Sequence, residues 1–178
     1  APESAVVKLG LRDASRKDRF TGEAVVYDDG LSAIAAIQRG DVKPGHALVV
    51  RGMGPKGGPG MAGPASAVVF AVYSAGLEND IAFITDGQLS GLCNKGLTVA
   101  EVSPEAAVGG PLALVRNGDA IAIDVDQHGI ELEVPPEELE RRRSALGTVP
   151  LKRSSGWLSI YQQTVQPMSK GAVLIRDL

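Results

Sequence analysis

Residues 46–63 read HALVVRGMGPKGGPGMAG. The run Ala47–Arg51 has the composition of a buried strand, and a loop dense in glycine and proline follows it. Gly52, Gly54 and Gly57 match the G-x-G-x-x-G spacing of a dinucleotide fingerprint. That fingerprint requires a helix opening directly out of the glycines, with its first N–H groups on a pyrophosphate. Pro55, Gly58, Pro59 and Gly60 deny a regular helix there, and no G-K-[ST] follows to make a phosphate loop. A dinucleotide-binding fold is therefore set aside. Two readings stay open for the loop, a structural turn or a backbone wall against a ligand. Glycines let the main chain approach a ligand and turn successive N–H groups inward, while prolines stiffen the loop. Its position at a strand end favours the wall.

Outward from this stretch, short apolar runs recur, punctuated by 22 Gly and 11 Pro. Val- and Ile-rich strands are expected at Ala5–Leu9, Glu23–Tyr27, Ala47–Arg51, Ile81–Thr85, Ala113–Val115, Ala120–Ile123 and Ile130–Val134. Leu31, Ile34 and Ile37 recur at helical spacing before Gly40, which gives a helix over Leu31–Arg39. Ala65–Ala75, after Pro64, reads as a second helix. Ser103 and Pro104 have the types of an N-cap and first helical residue, so a short helix is expected at Pro104–Val108. Pro136–Leu146 places acids early and bases late, as the helix dipole favours. Leu158–Val165 reads as a last helix, with Trp157 and Tyr161 four apart as its anchors to the body. Asn117-Gly118 and His128-Gly129 are turn signals for a pair of hairpins. Many non-local strands with a few helices imply a single β-rich α/β domain, residues 1–178, with a β-barrel-like core flanked by helices.

The 178 residues suffice for one substantial core. Aromatics are only 4%, so that core rests on Val, Ile, Leu and Ala. A formal net charge of −3 offers no electrostatic case for nucleic acid or an anionic membrane. No apolar run approaches the roughly 20 residues of a bilayer span. The start APESAVVKLG has neither a basic n-region nor a cleavage pattern, so no signal peptide is expected. The lone Cys93 cannot form an intrachain disulfide or hold a cluster by itself. A reducing, cytoplasmic setting follows as the default expectation.

A second informative stretch is ITDGQLSGLCNKG, residues 84–96. A buried strand ends at Thr85, Asp86-Gly87 turns the chain, and Ser90-Gly91 follows. Polar side chains at the end of a buried strand are suited to chemistry. Asp86 and Ser90 are equally the residue types that cap turns, and the residues alone do not choose. Ser90 has no His near it in sequence and G-x-S-x-G is absent, which argues against a Ser-His-Asp triad. His46, His128 and Cys93 have no metal-ligand spacing, and both His are expected at the surface. Lys56 and Lys95 are candidates to meet an anionic substrate. Lys152 and Arg153 read as a solvated face.

Five stretches, GPKGGPGM, ITDGQLSG, VSPEAAVGGPLALVRNGDAIAID, ELERRR and YQQTVQPMSKGAV, occur here in the order found in the dihydroxy-acid dehydratase / phosphogluconate dehydratase family. The opening APESAVVK is similar to the start of that family's C-terminal domain, so the resemblance covers nearly the whole chain. It implies a hydro-lyase that takes water from a sugar acid or 2,3-dihydroxy acid to give a 2-keto acid. It further implies a swivelling β/β/α domain that closes over an iron–sulfur cluster and Mg²⁺. Their ligands would lie mostly in an N-terminal dehydratase domain, the expected partner within a homo-oligomeric enzyme. The isolated chain is then expected to fold without dehydratase activity.

By the same resemblance Ser90 is the catalytic base, taking the proton at C2, with Mg²⁺ stabilising its alkoxide. Asp86, Gly87 and Gly91 shape its loop, and Lys56, Gly57, Gly58, Pro59, Gly60 and Met61 form the active-site wall. The family usually continues GGPGM-x-E, where the Glu is a Mg²⁺ ligand, but this chain has Ala62 and Gly63. It also reads Ser90-Gly91-Leu92-Cys93 where many members have SGGT. No metal ligand is therefore assigned within this chain. Two alternatives keep the fold with a different role: a non-catalytic acid-binding relative, and a stand-alone small subunit of an aconitase-like isomerase.

Overall fold

The computed structural model describes residues 1–8, 18–58, 63–147, 149 and 155–175. Its strands are β1 (Ser4–Lys8), β2 (Arg19–Tyr27), β3 (His46–Val50), β4 (Ala82–Thr85), β5 (Leu97–Ser103), β6 (Ala120–Asp124) and β7 (Gly129–Leu132). They form one sheet in the order β1-β5-β4-β3-β2-β6-β7. The central pairs β2–β3, β3–β4 and β4–β5 are parallel, while β1, β6 and β7 join antiparallel. The sheet curls into a half-barrel and stays open, with β1 and β7 at its edges.

Alternation along the central strands builds two cores. Ala47 and Val49 of β3, Ala82 and Ile84 of β4 and Val99 of β5 join Phe20, Ile121 and Ile123 on the inner face. Ala5, Val7, Ile130 and Leu132 from the two edge strands pack against this same cluster, so the curl lets the sheet cover much of its own face. Leu48, Val50 and Phe83 point the other way. They meet α1 (Gly30–Arg39) and α2 (Gly63–Ser74) through Ala33, Ala36, Ile37, Val68 and Val72. Burial on both faces explains why β3 and β4 read as continuous apolar runs rather than alternating ones.

The helices begin and end for local reasons. Asp29 caps α1, its carboxylate accepting from the Ser32 N–H at 2.8 Å, and Gly40 closes it in the left-handed conformation at φ 77°. α3 (Pro136–Leu146) buries no residue fully and is docked by charge. Arg142 makes a two-pronged contact with Asp119, donates to Glu138 at 2.7 Å and donates to the Leu114 carbonyl at 3.0 Å. α4 (Trp157–Thr164) is the last α-helix among the described residues.

Four expectations are corrected. Ala113–Val115 is not a strand; Pro111–Leu114 winds as a 3-10 turn. Pro111 opens that turn, and the carbonyls of Leu112, Ala113 and Val115 accept from the Arg51 guanidinium instead of from a sheet neighbour. Asn117-Gly118 accordingly leads into β6, and of the two turn signals His128-Gly129 closes a hairpin, β6–β7. The helix expected at Pro104–Val108 is a 3-10 turn over Ala106–Val108. Ser103 does not cap it, because Ser103 ends β5 and pairs with Ser4. Strand β5 itself was not expected, although Thr98, Val99 and Val102 have the right types. Trp157 is 73% exposed, so it is not the buried anchor expected of it.

Strand β5 also carries a bulge. Ser4 pairs with Ser103 and Val6 with Ala100, so two steps on β1 face three on β5. Glu101, inside the bulge, adopts φ 55°. The extra residue lets Val99 and Val102 both face the inner core.

Candidate functional site

Two loops leave the C-terminal ends of neighbouring parallel strands. Val50 of β3 pairs with Thr85 of β4, so the glycine loop after β3 and the Asp86–Gly91 loop after β4 start side by side. Ligand sites in parallel sheets form at this end of the strands. Asp86 joins the two loops. Its buried carboxylate accepts from the N–H groups of Gly52 at 3.1 Å and Met53 at 2.8 Å, and from that of Ala106 at 2.8 Å. Burial pushes its pKa up, and the three N–H donors oppose that shift only in part.

Glu105 holds the next turn of the glycine loop. It is buried, and its two oxygens accept from Lys56 N at 3.0 and 3.1 Å and from Gly57 N at 2.8 Å. Burial raises its pKa as well. On the far side, the Gln162 amide of α4 donates to the Lys56 carbonyl. The loop then turns back on itself, with Gly58 N–H donating to the Gly54 carbonyl at 2.7 Å. An added Cβ at Gly57 would stand 2.9 Å from the Gly52 Cα, so glycine there is a packing requirement.

The second loop touches the first. An added Cβ at Gly87 would lie 2.7 Å from the Met53 Cβ. The Gly87 N–H donates to Thr85 Oγ1 at 3.0 Å, and its carbonyl accepts from Glu101 N at 3.1 Å. Ser90 is half-buried. Its N–H donates to Ser66 Oγ of α2 at 2.9 Å, and its own Oγ accepts from Leu92 N at 3.2 Å. The Lys8 ammonium donates to its carbonyl. Ser90 thus does cap a turn, yet its hydroxyl oxygen sits where an N–H dipole favours negative charge. Gly91 is exposed.

The two loops share a cleft of about 200 Å³. Gly54 and Gly58 line it from the first loop, Gln88 from the second, with Glu101 of the bulge and Tyr161 of α4. Backbone of the glycine loop at Gly54 and Gly58 therefore faces an open space. Pro59, Gly60 and Met61 lie outside the described residues, as do Lys152 and Arg153. Lys95 lies over the Tyr73 ring of α2, 5.3 Å from its centroid, rather than beside Lys56. His46 is half-buried and accepts from Lys43 N through Nδ1 at 3.2 Å, and His128 is exposed. Gly63 opens α2, and a side chain there would meet nothing within 4 Å.

Sequence reasoning overlooked Glu101, Glu105 and Gln162. Glu105 was within reach, since it stands two residues past a strand end beside Pro104. No local pattern marks Gln162, which meets the loop only through tertiary packing.

Among the described residues no group of three or more His, Cys, Asp and Glu is placed to hold a metal ion. Cys93 is buried, with its thiol 3.9 Å from the Ser66 carbonyl. These donors do not fit a metal or a cluster by themselves. No described helix is long and apolar enough to cross a membrane.

The sequence matches, over residues 1–172, the profile of a family described as "Dihydroxy-acid/6-phosphogluconate dehydratase C-terminal". It is 47% identical over 173 residues to a protein named dihydroxy-acid dehydratase from Pyrobaculum neutrophilum, covering 97% of this chain and 30% of that protein. A protein of the same name from Anaeromyxobacter sp. is 45% identical over 179 residues, covering 100% and 31%. Another, from Moorella thermoacetica, is 44% identical over 174 residues, covering 98% and 31%. The chain spans about a third of the length of the curated relatives it matches.

Proposed function

The chain belongs to the dihydroxy-acid/6-phosphogluconate dehydratase family through its C-terminal domain, and from this we propose that it forms part of a hydro-lyase acting on a 2,3-dihydroxy acid or sugar acid. One observation supports the reading: two loops from adjacent strand ends meet on one cleft, lined by Gly54 and Gly58 of the first and by Gln88, two residues before Ser90, of the second. In this reading Ser90 takes the proton from C2 of the acid. Loss of the C3 hydroxyl as water gives an enol, which relaxes to the 2-keto acid. A neutral serine hydroxyl cannot hold that proton, so Ser90 must act as the alkoxide, its own proton already lost to solvent. It becomes the hydroxyl again when it takes the C2 proton, and the alkoxide needs stabilisation until then. The Leu92 N–H at 3.2 Å supplies part of it. Lys56 is the cation assigned to the substrate carboxylate, and Asp86, Gly87 and Gly91 shape the serine loop.

Departure of the C3 hydroxyl is assigned to no residue of this chain. The metal and iron–sulfur cluster implied by the resemblance would be held by the rest of the protein, an N-terminal domain over which this one swivels. The homo-oligomeric state and cytoplasmic setting belong to the same proposal.

The test is Ser90→Ala in the full-length protein, with kcat and thermal unfolding measured together. Loss of a positioned acid–base group costs on the order of a hundred- to ten-thousand-fold in rate. A role confined to capping would cost about 1 kcal/mol of stability and leave kcat per folded molecule near normal. The second outcome overturns the assignment.

A further inference from the structure

Glu105 is a buried carboxylate that the chemistry above leaves unused. It accepts from Lys56 N with both oxygens and from Gly57 N with one. Its own place is set by the next residue, whose N–H donates to Asp86. The Lys56 carbonyl is held separately by Gln162 of α4. The backbone is thus fixed on both sides of one α-carbon, that of Lys56, by side chains from two distant segments. Burying a carboxylate is costly unless the donors around it are oriented. A plain turn needs no such arrangement. Lys56 is the one cation in the glycine loop, and its ammonium starts from a point that this clamp defines. The charged groups facing Glu105 are Asp86, which raises its pKa, and Lys56, which lowers it.

We propose that Glu105 and Gln162 are positioning residues that fix Lys56 for the carboxylate of the hydroxy-acid substrate. This rests on the dehydratase reading for the identity of the ligand but not for the clamp itself. The clamp predicts a local effect and a coupled one.

In the full-length protein, Glu105→Gln should speed amide hydrogen exchange at Lys56 and Gly57 while leaving β3 and β4 unchanged. It should raise KM for a 2,3-dihydroxy acid about tenfold with kcat within about threefold, the pattern of lost ground-state binding. Lys56→Met should raise KM similarly, and the double variant should be no worse than Lys56→Met alone, because residues acting through one contact are not additive. Gln162→Ala removes the second half of the clamp at the buried position of an otherwise largely exposed helix and should raise KM in the same direction. It serves where Glu105→Gln fails to fold. Loop exchange unchanged by either variant, KM unchanged despite faster exchange, or effects of Glu105→Gln and Lys56→Met that multiply would each overturn the proposal. A wild-type protein that turns over no 2,3-dihydroxy acid would instead sink the dehydratase reading. Loop exchange and binding of the same acid, measured by calorimetry, would then still decide the clamp.

Discussion

Gly54 and Glu105 press against each other so closely that the loop residue has no room for a side chain. An added Cβ at Gly54 would stand 2.5 Å from Glu105 Oε2 and 2.8 Å from its Cβ. Gly54→Ala must therefore displace the carboxylate or the loop. We expect a loss of about 1–3 kcal/mol, the usual cost of overpacking, measured by denaturant unfolding. Amide exchange at Lys56 should quicken with it. Unchanged stability and exchange would show that the contact yields without consequence.

The docking of α3 rests on Arg142. Its side chain and that of Asp119 are 10% and 9% exposed, so removing the guanidinium leaves a nearly buried carboxylate with the Arg116 N–H but without its ion partner. Arg142→Ala is expected to cost about 3 kcal/mol, and Arg142→Lys most of that, because lysine cannot reproduce the two-pronged contact. Thermal unfolding of the two variants checks this. Near-wild-type stability for Arg142→Lys would mean that charge alone holds the helix.

Acid should act on this protein in two opposite steps. Asp86 and Glu105 have pKa values raised by burial. The folded state therefore binds protons that the unfolded state does not, and through the window between the ordinary and raised values stability rises as pH falls. Glu138, paired with Arg141 and Arg142, has its pKa lowered from 4.5 to about 2. Its contribution is present above the unfolded value and is lost as pH falls through about 2. Glu3, bonded to Ser169 and Ser103, is lowered as well and adds to that loss. Protonating Glu105 also weakens its hold on the Lys56 and Gly57 N–H groups, because a neutral carboxyl is the poorer acceptor. Amide exchange at Lys56 should accelerate, beyond the pH dependence of intrinsic exchange, while the melting temperature still climbs. A melting temperature that falls steadily from neutral pH would contradict the assignment.

Gly63 offers a stabilising substitution. It opens α2 with nothing within 4 Å of a would-be Cβ. Gly63→Glu replaces a poor helix former and puts a negative charge in the first turn, two effects worth about 0.5–1 kcal/mol each. The gain should shrink at high salt, since only the dipole part is screened. A loss of stability would show that the backbone at residue 63 needs glycine.

The sheet's centre was legible because its strands are short, continuous apolar runs followed closely by glycine. Ala47–Arg51 and Ile81–Thr85 were expected within a residue of β3 and β4. Strand β5 was hidden because Glu101 interrupts its apolar run, and the interruption is the bulge. Ala113–Val115 has strand composition but is held by Arg51 from another segment, which no local pattern encodes. The glycine loop could be read from residues 52–58 because backbone freedom is written in residue type. Its clamp could not. Glu105 and Gln162 lie 49 and 106 residues from Lys56, and hydrogen bonds across such separations leave no periodic signal.

Asp86 gathers N–H groups from 33 and 34 residues before it and 20 after it. This has a consequence in time. Each of those bonds requires a long stretch of chain to be closed, and loop closure must come before the contact can reward it. The glycine loop can take its final shape only after β3, β4 and the end of β5 have come together. Any species that has formed the helices and part of the sheet, but not the last parallel pairing, would carry a slack glycine segment and an unshielded acid. In such a chain the two loops come to face one cleft only at the end of folding, as a sign that the central strands are in register.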